Sequence, residues 1–344
     1  MTAPITGEEA ERRLGCWVLS DGRAGSEAQS LGLAEALGVT PELRRLEVRP
    51  SWRWLPPGLW PRPLAALAAG SAPLAPPWPE LVIACGRLTA APAAALRRAG
   101  QGAVCVVQIQ DSKLAPGRFD LVIVPAHDRL RGPNVVTSLG ALNRVTPARL
   151  AEAAEGLAGA LAELPRPRVA VLVGGSSKVH RQTPNLARRL GRDLAALARD
   201  EGAGLMVTVS RRTGEAAAAA LRETLAGTSA VVWDGRGENP YFGYLGLADA
   251  ILVTEDSVTM ASEAVAAGKP VQVIPLAGGS AKFRRFHDAL RAGGHTRPFA
   301  GRLEHWQPPP LAETARIAAE VQRRLDLPWP DLYERQGDHE RLHR

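Results

Sequence analysis

At 344 residues the chain exceeds one average domain and suits two α/β domains of roughly 150 residues each. Its 45% apolar content excludes a disordered chain, and no apolar run reaches the roughly 18 residues that a membrane span needs. The formal charge of +7 and a pI near 9.9 favour acidic partners (nucleotide phosphates, anionic lipid head groups or nucleic acid) or a solvated basic surface.

The N-terminus, MTAPITGEEAERR, has no apolar stretch of signal-peptide type, which predicts a soluble, cytoplasmic protein. Short apolar runs then alternate with Ala/Leu-rich helical patterns. Strands are expected over 16–19, 43–48, 81–84, 103–108, 121–124 and 134–137. A helix through 147–163 and the Pro165-Arg166-Pro167 linker separate these from a second series at 168–173, 204–209, 230–233, 250–253 and 270–274. Helical patterns fill most intervals, among them 28–37, 90–98, 183–200 and 214–225. Such alternation implies parallel sheets wound by βαβ crossovers.

The expected fold is therefore α/β, two Rossmann-like domains facing one cleft. The first covers 14–146, the second 147–310, and a helix with a charged tail follows over 311–344. Residues 51–79, rich in Pro and Trp with a helix-like piece near 63–70, read as an excursion from the first domain. Cys16, Cys85 and Cys105 sit in or beside strands without metal spacing, which suggests buried thiols in a reducing compartment.

Polar and glycine-rich turns follow the strands. Asp21-Gly22-Arg23-Ala24-Gly25-Ser26-Glu27 allows a tight turn and close backbone approach to a ligand, although its spacing is not that of the dinucleotide fingerprint. Trp52, Arg53, Trp54, Leu55, Leu59, Trp60 and Arg62 mix indole with guanidinium, which suits either a membrane interface or a loop packed on its own domain. Gln108, Gln110 and Asp111 end one strand, and His127 and Asp128 end the next. On position His127 is the best general-base candidate, with Asp128 as its orienter; a surface histidine without chemistry is the alternative.

In the second series, Gly174, Gly175, Ser176, Ser177 and Lys178 would suit a diphosphate but lack the P-loop pattern. Arg211 and Arg212 follow the next strand, where they either clamp phosphate or cap a helix. A polar loop, Asp234 to Pro240, places Asn239 ahead of a helix that begins with Tyr241 and Phe242. Last, an apolar strand stops at Thr254-Glu255-Asp256-Ser257 and a small-residue helix begins, carrying Ser257, Thr259 and Glu263. A helix N-terminus attracts phosphate and a carboxylate accepts from sugar hydroxyls, so this segment is chemically coherent for a nucleotide-sugar.

DGRAG, QIQDS, FDLVIVPAHDRLRGPNV, GGSSK, SRRTG, DGRGENPYF and TEDSVTMASEA, in that order, resemble the mitochondrial-fission "elongated mitochondria" (ELM) family from about residue 14 to about 320. The second half is also similar to GT-B glycosyltransferases of the peptidoglycan N-acetylglucosaminyltransferase type. That likeness implies a nucleotide-sugar site in which Glu263 holds the ribose hydroxyls and Ser257 and Thr259 lie near the diphosphate. Relatives often carry a histidine after the first-domain glycines where this chain has Ser26, so a catalytic base would fall to Asp21, Glu27, His127 or Asp128.

The resemblance thus implies an inverting, metal-independent glycosyltransferase, with the acceptor in the first domain and the nucleotide-sugar in the second. No cofactor and no nucleic-acid partner are expected, since the basic residues are dispersed and no recognition motif occurs. A nucleotide-sugar epimerase or hydrolase is one alternative. A non-catalytic GT-B scaffold recruiting partners at an anionic membrane surface, peripheral to the inner face of the membrane, is the other.

Overall fold

The computed structural model describes residues 14–177 and 179–330, so the expected charged tail beyond 330 and Lys178 lie outside the described residues. The chain forms two compact units. Unit 1 comprises the chain up to Val124, Leu130–Thr137 and the part from Thr314 onward; unit 2 comprises Pro125–Arg129 and Ser138–Glu313.

Unit 1 is built on β1 (Cys16–Ser20), α1 (Ala24–Ala36), β2 (Glu42–Arg45), α2 (Pro50–Arg53), β3 (Leu81–Cys85), α3 (Arg87–Ala99), β4 (Cys105–Ile109), β5 (Leu121–Pro125) and β6 (Val135–Ser138). The sheet order is β2-β1-β3-β4-β5-β6, and β2, β1, β3, β4 and β5 run parallel. Winding reverses between β1 and β3, which makes their C-terminal ends the topological switch point where open α/β sheets bind ligands. β1, β3 and β5 are buried at every position, as continuous apolar strands in a sheet covered on both faces should be.

β2 is shorter than the expected 43–48. After Arg45 the chain leaves the sheet and receives the returning excursion: Val48 bridges Leu67 in antiparallel fashion, and the Ala68 N–H donates to the Glu47 carbonyl at 2.7 Å. That return also limits the expected helical piece near 63–70 to a 3₁₀ turn, Pro63–Ala66, because Leu67 turns extended to make the bridge.

Unit 2 contains α4 (Pro147–Ala158), β7 (Arg168–Val173), α5 (Pro184–Glu201), β8 (Gly204–Val209), α6 (Glu215–Leu225), β9 (Ala230–Val232), α7 (Tyr241–Leu247), β10 (Ala250–Thr254), α8 (Val258–Ala266), β11 (Val271–Ile274), α9 (Ala281–Ala292) and β12 (Thr296–Pro298). The sheet order is β12-β11-β10-β7-β8-β9, parallel throughout. Alternation along β7 builds two cores. Val169, Val171 and Val173 face the layer containing Leu194 of α5 and Leu221 of α6, while Ala170 and Leu172 face the layer with Leu245 of α7 and Ala264 of α8. Thr146, Thr183, Ser257 and Ser280 cap α4, α5, α8 and α9 through their side chains, each accepting an N–H of the first turn.

The expected helix over 147–163 ends at Ala158, with Gly159 as its C-cap, and the Pro165-Arg166-Pro167 segment lies inside unit 2. There Arg166 pairs with Asp249 at 2.6 Å. α9 and β12 add to the expected elements. The last helix, α10 (Glu313–Arg324), serves unit 1 from Thr314 on: Arg316 donates to the Thr137 carbonyl at 2.7 Å and Arg324 to that of Pro133 at 3.0 Å. Among the described residues no helix is long and apolar enough to cross a membrane.

Candidate functional site

In unit 2 the winding reverses between β7 and β10, so the loops after these two strands meet at the switch point. Those loops are Gly174–Ser177 and Glu255–Ser257. The structure sews them together. The Gly174 N–H donates to Thr254 Oγ1 at 2.7 Å, the Gly175 N–H to Asp256 Oδ2 at 2.9 Å, and Thr254 Oγ1 to Asp256 Oδ1 at 2.7 Å.

The loop after β8 joins the same cluster. Ser176 donates its N–H to the Arg212 carbonyl at 3.0 Å, Thr213 Oγ1 donates to the Gly174 carbonyl at 2.6 Å, and the Arg212 guanidinium pairs with Asp256 Oδ2 at 3.1 Å. Glycine is required here by close approach. A Cβ on Gly175 would lie 2.0 Å from the Arg212 carbonyl carbon, and one on Gly174 would lie 2.1 Å from Asp256 Oδ1. Ser177 turns the chain onward, its N–H donating to the His180 carbonyl at 2.9 Å and its Oγ accepting from the N–H groups of Val179 and His180.

The backbone donors of Gly174, Gly175, Ser176 and Ser177 are therefore all engaged within the protein. The open donors lie instead at the start of α8, where the first helical residues, Val258 and Thr259, have no intrahelical acceptor for their N–H groups. A hollow of about 420 Å³ opens there, lined among others by Ser177, Arg212, Ser257, Val258, Thr259 and Phe283. Arg211 is exposed beside Arg212 and makes no hydrogen bond or ion pair among the described residues. The helix dipole, the open N–H groups and the Arg212 guanidinium give this hollow a positive local field.

Glu263 lies four residues after Thr259 on α8, hence on the same helix face. It is buried, and Tyr241 donates its hydroxyl to Glu263 Oε2 at 2.7 Å. Burial raises the Glu263 carboxyl to about 7, with the Tyr241 hydrogen bond pulling the other way. Tyr241 itself is pushed well above its ordinary value by burial and by the neighbouring carboxylate. Asn239 is exposed and accepts the Tyr241 N–H at 3.2 Å, so it fastens the start of α7 and thereby the tyrosine that holds Glu263.

His127 and Asp128 belong to the short segment grouped with unit 2. His127 is buried, its ring edge-on to Phe286 of α9 at 5.4 Å, with Nδ1 unbonded. Burial depresses it to about 4, so at neutral pH it is an uncharged imidazole. Asp128 stands 3.9 Å from His127 Nε2 and is ion-paired with Lys282, while Arg285 donates to the His127 carbonyl at 3.0 Å. The Asp128 carboxylate is thus engaged by a lysine as well as facing the imidazole.

In unit 1, Asp21 follows β1 at the switch point and accepts the Arg23 N–H at 3.2 Å. Glu27 on α1 accepts from Ser20 Oγ at 2.6 Å and from Arg45 at 3.2 Å, which ties α1 to β1 and β2. Ser26 lies near Cys85, whose thiol burial pushes up to about 12.

Two partnerships at the site escaped the sequence reading. Asp256 is the wholly buried acceptor of the unit 2 cluster, and Tyr241 is the donor to Glu263. The signal for Asp256 was its place two residues after Thr254 at a strand end, which puts both side chains on one side of the chain. The Tyr241 contact spans 22 positions and has no local signal.

Comparison with known proteins agrees with this architecture. The chain is 34% identical over 274 residues to the mitochondrial fission protein ELM1 of Arabidopsis thaliana, covering 72% of this chain and 64% of that protein. Among solved structures it is similar to a UDP-GlcNAc 2-epimerase from Methanocaldococcus jannaschii, with a TM-score of 0.50 and 11% identity over 93% of this chain and 95% of the other. It is also similar to Os79 from O. sativa in complex with UDP, with a TM-score of 0.51 and 13% identity over 89% and 90% of the two chains. These likenesses show the fold, which is of the GT-B type. The family model described as mitochondrial fission ELM1 matches residues 24–325, and the chain belongs to that family.

Proposed function

We propose that unit 2 binds a nucleotide-sugar at its switch point and that the protein is a GT-B-type glycosyltransferase, inverting and independent of metal. The observation that carries this reading is the convergence of three strand-end loops and the α8 N-terminus on one hollow, with Arg212 on its wall. UDP-linked sugars are the first donors to test, because Os79, a protein of similar fold, is in complex with UDP.

The diphosphate would accept from the Val258 and Thr259 N–H groups, with Arg211 and Arg212 supplying positive charge. The ribose hydroxyls would donate to Glu263, further along the same helix face. In transfer, the acceptor oxygen bonds to the anomeric carbon as the bond to the diphosphate breaks, and the acceptor hydroxyl's proton passes to a base, for which Asp21, Glu27, His127 and Asp128 are the candidates. Negative charge then grows on the leaving group. Fixed donors and guanidinium groups at that spot favour the transition state over the ground state, the electrostatic role a metal fills elsewhere.

One observation favours a second reading, a nucleotide-binding scaffold without turnover. Asp256 already draws on Gly175, Thr254 and Arg212, which leaves the glycine turn no donor for a second anion. Incubation with UDP-, GDP- and ADP-sugars, with and without lipid-linked and carbohydrate acceptors, separates the cases. Acceptor-dependent release of nucleoside diphosphate supports the transferase. Turnover of the sugar nucleotide alone points to an epimerase or hydrolase, and binding with no turnover to the scaffold. Failure to bind any of them sinks both readings.

A further inference from the structure

Five large hydrophobic side chains are exposed among the described residues, and four of them fall between positions 54 and 64 of unit 1. They are Trp54, 88% exposed, Leu59 at 64%, Leu55 at 41% and Leu64 at 39%. Elsewhere in the same unit apolar side chains of this size go into the core, Trp17 and Phe119 among them, and so does Trp60 within the stretch itself. A concentration of this kind marks an interaction surface rather than scattered surface apolarity.

The exposure is built into the fold. Prolines at 50, 56, 57, 61 and 63 fix the backbone of this excursion. Arg87 of α3 donates to the Arg53 carbonyl at 2.6 Å and to the Leu55 carbonyl at 3.3 Å, and the buried Trp60 indole donates to the Leu55 carbonyl at 3.2 Å. Trp52 packs edge-on against Trp60 at 5.9 Å. The main chain on both sides of Trp54 is thus tied down while the indole stands in solvent.

Along the excursion itself the charge has one sign, the exposed Glu47 lying just before it, against Gly70. Arg49, Arg53 and Arg62 are exposed, and from Arg49 to Pro79 the sequence contains no Asp or Glu. A two-fold pairing of copies through this face would set arginine against arginine with no carboxylate from residues 49–79 between them. An anionic lipid leaflet instead offers phosphate to the guanidinium groups and an interfacial layer to indole and leucine.

We propose that residues 53–64 form a docking surface for an anionic membrane, with Trp54, Leu55 and Leu59 entering the headgroup layer and Arg53 and Arg62 meeting lipid phosphate. The inference is independent of any activity at the unit 2 site. The test is co-sedimentation of the full chain with vesicles of phosphatidylcholine containing about a third phosphatidylglycerol, against pure phosphatidylcholine, at low and high salt. Wild type should partition at least about tenfold more strongly to the anionic vesicles at low salt, and the preference should collapse at high salt. The double variant Trp54→Ser/Leu59→Ser should lose most of that binding while keeping the wild-type melting temperature. Arg62→Gln, which leaves the Arg87 and Trp60 ties to the main chain in place, should weaken it with the apolar face intact. Wild-type protein that stays in the supernatant overturns the proposal, as does a double variant that binds like wild type. A concentration-dependent dimer abolished by the double variant, without lipid binding, would assign the face to a second copy instead.

Discussion

Arg212 and Asp256 form an ion pair at 3.1 Å in which the guanidinium is 44% exposed and the carboxylate is wholly buried. The pair is therefore one-sided: Asp256 has no access to water, whereas Arg212 still presents donors to the hollow before α8. An internal carboxylate at the N-terminus of α8 shares the positive field, and the Arg212 guanidinium, that a bound phosphate would draw on. On the proposed function, Asp256 is a built-in anion that tempers the site.

Replacing Asp256 by Asn keeps an acceptor for the Gly175 N–H and removes the charge. Affinity for a UDP-sugar should rise by about three- to tenfold, which is the effect of removing one like charge at partly screened range. Isothermal titration at two salt concentrations checks this, since the gain should shrink as salt increases. Unchanged or weaker binding would mean that Asp256 does not face the ligand's phosphates.

The glycine turn gives a stability prediction. A methyl group on Gly175 would sit 2.0 Å from the Arg212 carbonyl carbon, with backbone rather than a flexible side chain in its way. Gly175→Ala should destabilise unit 2 by about 2 to 3 kcal/mol, the upper part of the range of about 1 to 3 kcal/mol usual for overpacking. Gly156→Ala, on α4 with open space around it, should be neutral or stabilising. Urea unfolding of the two variants beside wild type reads both effects.

Glu263 and His127 predict opposite pH dependences. The Glu263 carboxyl is raised to about 7, so the native state holds its proton through a window in which the unfolded chain has lost it. Its contribution to stability is full below the unfolded value near 4.5 and is lost as pH rises through 7, a change of roughly 3 kcal/mol. His127 is depressed to about 4; its contribution is present above 6.5 and is lost as pH falls towards 4. Glu263→Gln should therefore flatten the decline from pH 5 to pH 8, and His127→Gln the decline from pH 6.5 to pH 4. If Glu263→Gln leaves the alkaline slope intact, the carboxyl is not held protonated by burial.

Tyr241→Phe removes the 2.7 Å hydroxyl donor that α7 supplies to Glu263. Stability should fall by about 1 to 2 kcal/mol near pH 8, where Glu263 is ionised, and by less at pH 5. The difference between the two pH values distinguishes a hydrogen bond to the carboxylate from simple loss of packing.

Much of this architecture was legible in the sequence. The Val- and Leu-rich runs 168–173 and 204–209 could be placed to the residue because strands buried on both faces are apolar throughout. The strand-end positions of Gly174–Ser177, Arg211–Arg212 and Ser257 were readable for the same reason. β12 was not, because Thr296–Pro298 is three residues long, polar in part and ends in proline. α9 carried a signal in Ser280 followed by Phe283, Phe286 and Leu290 at helical spacing. What the sequence could not reveal is who satisfies whom. Gly175 against Asp256 is a pairing across 81 positions and Tyr241 against Glu263 one across 22, so each depends on sheet order rather than on local pattern.

The central claim, that unit 2 takes a nucleotide-sugar at the β7–β10 switch point, is tested most directly by calorimetric titration of UDP-sugars into wild type, Arg212→Ala and Glu263→Ala. Wild type should bind at least one of them, with a single site per chain. Both variants, checked for native melting, should lose at least about tenfold in affinity, about 1.4 kcal/mol. Equal binding by all three proteins would contradict the assignment.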